Sequence, residues 1–160
     1  MITLEQLLKS RDNRAAFQQK LLEKYPGSTV VCFTVQLPGT DKRNALSAEI
    51  AKEGLEALEI VLGRALQTRD LETGFEAFYV VPEPAEAVKR RCCQLEETHP
   101  LGRLMDIDVI GPEGPVSRTE AGFPPRKCLL CDQPARICMR ARTHTHEELL
   151  RKIEQMVYGL

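Results

Sequence analysis

Hydrophobic and polar positions recur along the chain with two periods, which predict helices separated by short strands. Thr3 with Gln6 and Thr145 with Glu148 have the spacing of capping boxes and mark where the first and last helices begin. The predicted elements, in chain order, are a helix to about Tyr25, a strand over 28–37, a helix from about Asn44, a strand over 74–81, a helix over 85–97, a strand over 103–110 with a short partner over 115–118, and a final helix after Thr145.

The order of these elements predicts the fold class. Strands that alternate with helices favour a sheet with one covered face, and the Gly-Pro-Glu-Gly turn at 111–114 makes the last two strands an antiparallel hairpin. We therefore expect one small α+β (or mixed α/β) domain over residues 1–160, with three to four strands. Residues 119–142 contain three prolines and three cysteines without a sustained period, so segment 119–145 is predicted to be a Cys-rich loop.

Composition narrows the range of partners. The 160 residues carry a net charge of -1, which argues against a broad nucleic-acid-binding surface, so an anionic ligand must be held by a local cluster of cations. Apolar runs stay well short of the ~18 residues that a membrane span needs, and the N-terminus lacks the apolar core of a signal peptide. We expect a cytoplasmic protein that binds neither nucleic acid nor membrane.

Two carboxylates stand two residues apart in the predicted strand over 103–110. Asp106 and Asp108 therefore share one face of that strand, roughly 6.6 Å apart along it. Such a pair suits Mg²⁺, which takes one or two protein carboxylates together with substrate phosphate oxygens, and Arg103 adds a guanidinium suited to phosphate. The alternative is a strand whose polar face carries two aspartates without a metal.

The cysteines divide into two groups. Cys32, Cys92 and Cys93 lie in apolar runs or in a predicted helix, where packing is the expected role. The other three form a C-x2-C-x6-C-x5-H pattern with a histidine, which has the donor types and first spacing of a structural zinc knuckle; its members are Cys128, Cys131, Cys138 and His144. The alternative is a packed loop with buried thiols.

Several strings together resemble one known family. The run His99 to Ile110 (HPLGRLMDIDVI), the pair Ser117-Arg118 and the string PPRKCLLC at 124–131 are similar to the CitX family of apo-citrate lyase phosphoribosyl-dephospho-CoA transferases. Matches near the N-terminus, at 10–14 and 38–42, extend the resemblance over nearly the whole chain. The resemblance implies transfer of triphosphoribosyl-dephospho-CoA to a serine of the citrate lyase acyl carrier (gamma) subunit, with release of diphosphate.

Such a reaction requires cations around the phosphates and a metal on the carboxylates. Asp106, Asp108 and Arg103 are the expected catalytic residues, with Mg²⁺ on the two aspartates. We expect Arg103 and Arg118 to flank the carboxylates on adjacent strands. The other candidate substrate-binding cations are Arg126 close to the motif and Arg11, Arg14 and Lys42 from the N-terminal half.

Two further roles are open at this stage. For a third carboxylate, Glu120 is preferred over Glu96 and Glu113, and His99 is either a base or a structural residue. The Asp-hydrophobic-Asp-hydrophobic motif also resembles that of polymerase-β-type nucleotidyltransferases, although the glycine-serine motif that precedes it there is missing.

Two other functions remain as alternatives. One is a metal-dependent nucleotide phosphohydrolase that uses the same aspartates. The other is a non-enzymatic interaction module stabilised by the zinc knuckle, in which the aspartates are surface charge.

Overall fold

A five-stranded antiparallel sheet with strand order β2-β3-β1-β4-β5 organises the computed structural model, which describes residues 2–159. The fold is α+β, as predicted. The elements are α1 (Leu4–Lys24), β1 (Thr29–Val35), α2 (Ala45–Leu62), β2 (Gln67–Leu71), β3 (Gly74–Val81), α3 (Ala85–Thr98), β4 (Met105–Gly111), β5 (Gly114–Pro115), α4 (Ala135–Ala141) and α5 (His146–Tyr158), with a 3-10 turn at Gly102–Leu104 before β4.

Capping boxes define where three of the helices begin. The predicted Thr3–Gln6 and Thr145–Glu148 boxes start α1 and α5, and Asn44 caps α2 with Ser47 in the same reciprocal way. Each box satisfies backbone N–H groups that the first helical turn leaves without an acceptor. Local sequence therefore fixes these helix starts before any tertiary packing.

The central strand β1 separates two packed layers. Its residues Val31 and Phe33 contribute to a core formed with α2, α3 and α5, while Val30 and Cys32 point to the opposite face and pack with Leu21 of α1. Helices therefore contact both faces of the sheet, whereas the sequence favoured one covered face. On the sheet face that α1 covers, the apolar contacts with α1 lie at one end, and the strand residues at the other end are polar.

Three local features differ from the sequence prediction. The sheet has five strands rather than three to four, because the mostly exposed strand β2 pairs with β3 through a tight turn. The strand predicted from 103 begins at Met105, since residues 102–104 form the 3-10 turn, and β5 is confined to Gly114–Pro115. The short helix α4 lies within the segment predicted to be a loop.

Within residues 2–159, none of the helices has both the length and the apolar character needed to cross a membrane.

Candidate active site and metal cluster

The two aspartates of β4 lie on the polar part of the face that α1 covers. Asp106 stands opposite Thr34 of β1 and Asp108 opposite Cys32, so both carboxylates project from the same side of the sheet. Asp108 is open to solvent, and Asp106 is half-buried. Desolvation by the surrounding protein and the charge of Asp106 raise the pKa of Asp108 above its usual range, against the opposing effect of nearby cations. A bound cation would relieve this repulsion.

A third carboxylate, Glu76, shares this face. It lies on β3 opposite Thr34, which in turn lies opposite Asp106, and its side chain is only 2 % exposed. Arg14 of α1 donates from Nη1 to Oε2 at 3.1 Å, whereas Oε1 has no hydrogen-bond donor among residues 2–159. Burial raises the pKa of Glu76 despite Arg14. Sequence reasoning missed Glu76, although it is the one charged residue in the strand GFEAFYVV.

Arg14 of α1 reaches the carboxylate face through its contact with Glu76. Besides its contact with Glu76, its charge opposes the rise in the pKa of Asp108. Lys42 donates to the backbone oxygen of Leu37, and desolvation and the nearby charge of Arg11 lower its pKa. Because Leu37 follows the end of β1 that pairs with Met105, Lys42 and Arg11 lie at the same end of the sheet as Asp106.

The outer edge of β4 is capped by cations instead of by a strand. The partner β5 pairs only with Ile110 and Gly111, which leaves the edge beside the aspartates open. Lys89 of α3, which is 6 % exposed, donates from Nζ to the backbone oxygen of Ile107 at 2.8 Å. Arg126 donates to the backbone oxygen of Met105. Lys89 was not among the residues predicted from the sequence. Its only sequence signal is its position on the buried side of the amphipathic helix α3, four residues before Cys93.

Arg118 and Arg126 converge on Glu96, in the last turn of α3. Arg118 Nη1 donates to Oε1 at 2.8 Å and Arg126 Nη2 donates to Oε2 at 2.9 Å, and the Glu96 side chain is 5 % exposed. Arg118 also contacts Glu97 and the backbone oxygen of Pro124. The prediction that Arg118 lies on a strand adjacent to the carboxylates is wrong, because β5 ends at Pro115 and Arg118 begins the following turn.

Arg103 likewise precedes β4 in the 3-10 turn and does not lie on a strand, which corrects the same prediction. Its Nε donates to the backbone oxygen of Lys127 and its Nη1 to Oε1 of Gln36, both at 2.9 Å. Gln36 also accepts from Arg126 Nη1 at 3.4 Å. Arg103 and Arg126 are therefore held by one shared glutamine.

The turn packs so closely on α3 that a Cβ on Gly102 would lie 2.1 Å from the backbone oxygen of Glu96.

The remaining sequence candidates have local structural contacts. The Nδ1 atom of His99 accepts from the N–H of Leu101 at 2.9 Å, which closes the turn after α3. Glu120 accepts from the hydroxyl of Ser117 at 3.0 Å within the turn that begins at Arg118, and Glu113 is exposed between β4 and β5. The structure places Glu76, rather than any of the three predicted glutamates, on the face of the aspartates.

The Cys-rich segment folds into a compact cluster of metal-ligand types. The donor atoms of Cys128, Cys131, Cys138 and His144 all lie within 4.8 Å of one another. A hairpin with a backbone bond from Cys128 to Gln133 at 2.7 Å carries the first two, α4 carries the third, and the histidine follows α4. The cluster can hold a metal such as zinc, since three sulfurs and one imidazole are a donor set that zinc prefers.

Two local observations fit a metal at this cluster. The Nε2 atom of His144 is buried and has no hydrogen-bond partner among the described residues, so it lacks the partner that a buried polar atom requires. Desolvation raises the pKa of the Cys128 thiol, but the N–H groups of Leu130 and Cys131 and the neighbouring thiols outweigh it and lower the pKa to about 7. Thiolate character at neutral pH favours metal binding.

Comparison with known proteins gives a consistent result. The family model for CitX, apo-citrate lyase phosphoribosyl-dephospho-CoA transferase, matches residues 2–159. A probable apo-citrate lyase phosphoribosyl-dephospho-CoA transferase of Vibrio cholerae serotype O1 is 39% identical over 165 residues, which cover 98% of this chain and 92% of the relative. The corresponding transferase of Escherichia coli O1:K1 is 38% identical over 168 residues, covering 98% and 88%.

A third relative is longer than this chain. Protein CitXG of Haemophilus influenzae is 39% identical over 162 residues, which cover 97% of this chain but only 35% of that protein.

Proposed function

Because the chain belongs to the CitX family, whose members attach phosphoribosyl-dephospho-CoA to apo-citrate lyase, we propose that it performs this transfer at the carboxylate face of β4. The enzyme is a transferase that acts on apo-citrate lyase. The donor is triphosphoribosyl-dephospho-CoA, and the acceptor is a serine of the acyl carrier (gamma) subunit. The serine oxygen attacks the ribose-linked phosphorus, its proton is released, and the bond to the outer two phosphates breaks so that diphosphate leaves.

The observation that carries this assignment is the pair Asp106 and Asp108 on one solvent-accessible face. These carboxylates would hold Mg²⁺, which neutralises charge on the transferred and leaving phosphates when bound. Desolvation and the neighbouring charge of Asp106 both raise the pKa of Asp108, and a bound cation would offset both effects. Arg14 already faces the pair, while Arg11 and Lys42 lie at the same end of the sheet, so these three side chains bind the triphosphate.

The cysteine cluster has a separate, structural role. Cys128, Cys131, Cys138 and His144 bind one zinc ion, and with four protein ligands no coordination position remains for a catalytic water. The ion fixes the hairpin whose Lys127 carbonyl accepts from Arg103, and it thereby supports an arginine three residues before Asp106.

The test is a transfer assay with the apo acyl carrier subunit, triphosphoribosyl-dephospho-CoA and Mg²⁺. We expect Asp106→Asn and Asp108→Asn each to lower transfer by at least about a hundredfold, because each removes a metal-binding charge from the reacting centre. Thermal unfolding should change little in either variant. Asp70→Asn is the matched control, since Asp70 is an exposed acid on β2 that pairs with Arg43.

Mass spectrometry of the acceptor and measurement of released diphosphate provide the two readouts. One diphosphate per modified serine supports the proposal. Near-normal transfer by either aspartate variant would remove the metal role, and phosphate release from the donor without the acceptor would favour a phosphohydrolase.

A further inference from the structure

A cavity of about 620 Å³ opens beside the start of β4, between the end of α3, the 3-10 turn, the segment 124–129 and α5. Its volume lies within the range of roughly 300–1,000 Å³ that is usual for small-molecule sites. A smaller cavity of about 80 Å³ lies beside the cysteine cluster, and Arg103, Cys128 and Leu129 line both cavities.

The walls of this cavity carry an excess of positive charge. Five cationic side chains and two carboxylates line it: Arg103, Arg118, Arg126, Lys127 and Lys152, with Glu96 and Glu97. The carboxylates occupy Arg118 and Arg126, whereas Lys127 and Lys152 have no ion-pair partner among residues 2–159. The whole chain has a net charge of only -1, so the excess of cations in this cavity is a local feature. This local excess favours an anionic ligand.

The acidic groups of the cavity are unsuited to a metal. Both carboxylate oxygens of Glu96 already accept from arginines, at 2.8 and 2.9 Å, so neither is free to ligate a cation. The anion bound here therefore differs from the triphosphate, which requires the metal at Asp106 and Asp108. Two or three negative charges, as on a diphosphate, match the charge that the lysines leave uncompensated.

Apolar side chains form most of the rest of the lining. Leu129 and Met156 line the cavity together with Pro100, Pro124 and Pro125, and His99 and Cys128 complete the lining. Rigid proline rings and a flexible thioether provide surfaces against which a planar base or a ribose can pack. Cations beside an apolar wall fit a nucleoside diphosphate better than inorganic phosphate.

The cavity also adjoins the proposed reacting centre. Arg126, which lines it, donates to the backbone oxygen of Met105, directly before Asp106. The same guanidinium donates to Oε2 of Glu96 at 2.9 Å, so a carboxylate of the cavity and the start of β4 share one arginine. A ligand held in the cavity can therefore extend to the carboxylate face.

We infer that this cavity binds the adenosine diphosphate part of the donor's dephospho-CoA, while the triphosphate lies at Asp106 and Asp108. The inference rests on the proposed function for the identity of the donor. Lys127 and Lys152 contact the diphosphate, and Met156 packs against the nucleoside.

The experiment uses ADP as the probe, with binding measured by calorimetry in Mg²⁺-free buffer that contains no chelator. We expect Lys127→Gln and Lys152→Gln each to weaken ADP binding about tenfold, because each loses a charge-assisted contact. Met156→Ala should weaken binding of ADP but not of inorganic diphosphate. Asp106→Asn should bind ADP like the unmodified protein. So should the control Arg43→Gln, because Arg43 pairs with Asp70 of β2 at the other edge of the sheet.

Steady-state transfer gives an independent readout. Lys152→Gln should raise KM for the donor about tenfold with kcat nearly unchanged, whereas a general loss of fold would lower kcat and the unfolding temperature. ADP binding that is absent, or equal in all variants, would overturn the inference. Equal affinity for ADP and inorganic diphosphate, unaffected by Met156→Ala, would overturn its nucleoside part.

The two proposals can fail separately. If the unmodified protein binds ADP in this cavity but transfers nothing to the acyl carrier subunit with Mg²⁺ present, the cavity assignment stands and the proposed reaction does not.

Discussion

Lys89 donates to the strand that carries the aspartates, at the backbone oxygen of the residue between them. A lysine that is 6 % exposed gives up most of its hydration, which is costly unless the ammonium has close partners. Here the backbone oxygen of Ile107 and the nearby charges of Asp108 and Glu96 fulfil that requirement. The side chain therefore holds the β4 edge in place and lessens the repulsion between the carboxylates.

We expect Lys89→Met to lower kcat at least tenfold and to change the Mg²⁺ concentration that gives half-maximal transfer. The methionine fills similar space but leaves the backbone oxygen of Ile107 without its donor, at a cost of about 1–3 kcal/mol. Lys89→Arg should restore part of the rate.

Lys52→Met on the exposed side of α2 is the matched control for this substitution. Titrations of Mg²⁺ against transfer rate, with thermal unfolding in parallel, separate the positioning role from a general loss of stability. An unchanged Mg²⁺ dependence in Lys89→Met, with only a lower unfolding temperature, would reduce Lys89 to a structural residue.

Arg103 makes two directed contacts that a lysine cannot reproduce. Its Nε and Nη1 atoms point to Lys127 and Gln36 at the same time, through the planar geometry of one guanidinium. We expect Arg103→Lys to lower kcat/KM about tenfold, equivalent to about 1.4 kcal/mol. Arg136→Lys on the exposed side of α4 should have no effect on kcat/KM. Equal kcat/KM for Arg103→Lys and the unmodified enzyme would show that the charge alone is sufficient.

At the scale of elements, the hairpin and α4 carry the cysteine cluster. This segment has few large apolar residues in the core, so a metal bound at the cluster would supply the cross-link that hydrophobic packing does not. We expect about one zinc per chain by elemental analysis, and faster amide exchange over 126–144 once a chelator has removed it. Cys128→Ala should reproduce the faster exchange and lower transfer, since the Lys127 carbonyl that holds Arg103 loses its support.

Thiol labelling at pH 8 gives the same prediction a second readout. Burial raises the pKa of Cys32 and of Cys92 to about 12, so the reactive thiolate fraction of each is on the order of 10⁻⁴ and both stay unlabelled in the folded protein. Cys128 and Cys131 should be protected by zinc and react after its removal. If the protein contains no stoichiometric zinc and these two thiols are labelled at once, the metal site is contradicted.

An element can be predicted from the sequence when the signal for it is local. Capping boxes and apolar periodicity are local, which is why α1, α2, α3, α5 and the strands β1, β3 and β4 were predicted close to their bounds. The strand β2 has mainly exposed polar residues, so only its pairing with β3 defines it. The 3-10 turn forms because Gly102 can approach the backbone of Glu96, a contact made across the fold.

The site divides in the same way. The pair Asp106 and Asp108 and the four cluster ligands follow from spacing within one segment, and the structure places each set together. Glu76 and Lys89 reach the site only through strand order and helix packing. These long-range features cannot be read from a single sequence. The pairing of Arg118 and Arg126 with Glu96 depends on contacts 22 and 30 residues apart in sequence.

At the scale of the whole molecule, α1 leaves open the half of its sheet face that carries Asp106 and Asp108. Its apolar contacts, such as the edge-to-face packing of Phe17 on Phe78 with ring centroids 4.7 Å apart, hold the half of the face around Val30 and Cys32. Arg14 then lies where the covered half meets the carboxylates. In the proposed transfer, a bulky acceptor protein could therefore present its serine to Asp106 and Asp108 without displacing a helix.

The capped edge of β4 also affects the tendency of the protein to aggregate. An edge strand with free backbone groups can pair with the edge of another molecule and start aggregation. Arg126 and Lys89 occupy the carbonyls of Met105 and Ile107, so this edge is closed to a foreign strand. We expect Arg126→Ala to aggregate on mild heating at concentrations where Arg136→Ala does not aggregate, as measured by light scattering. The cations beside Asp106 and Asp108 would then also protect the enzyme from aggregation.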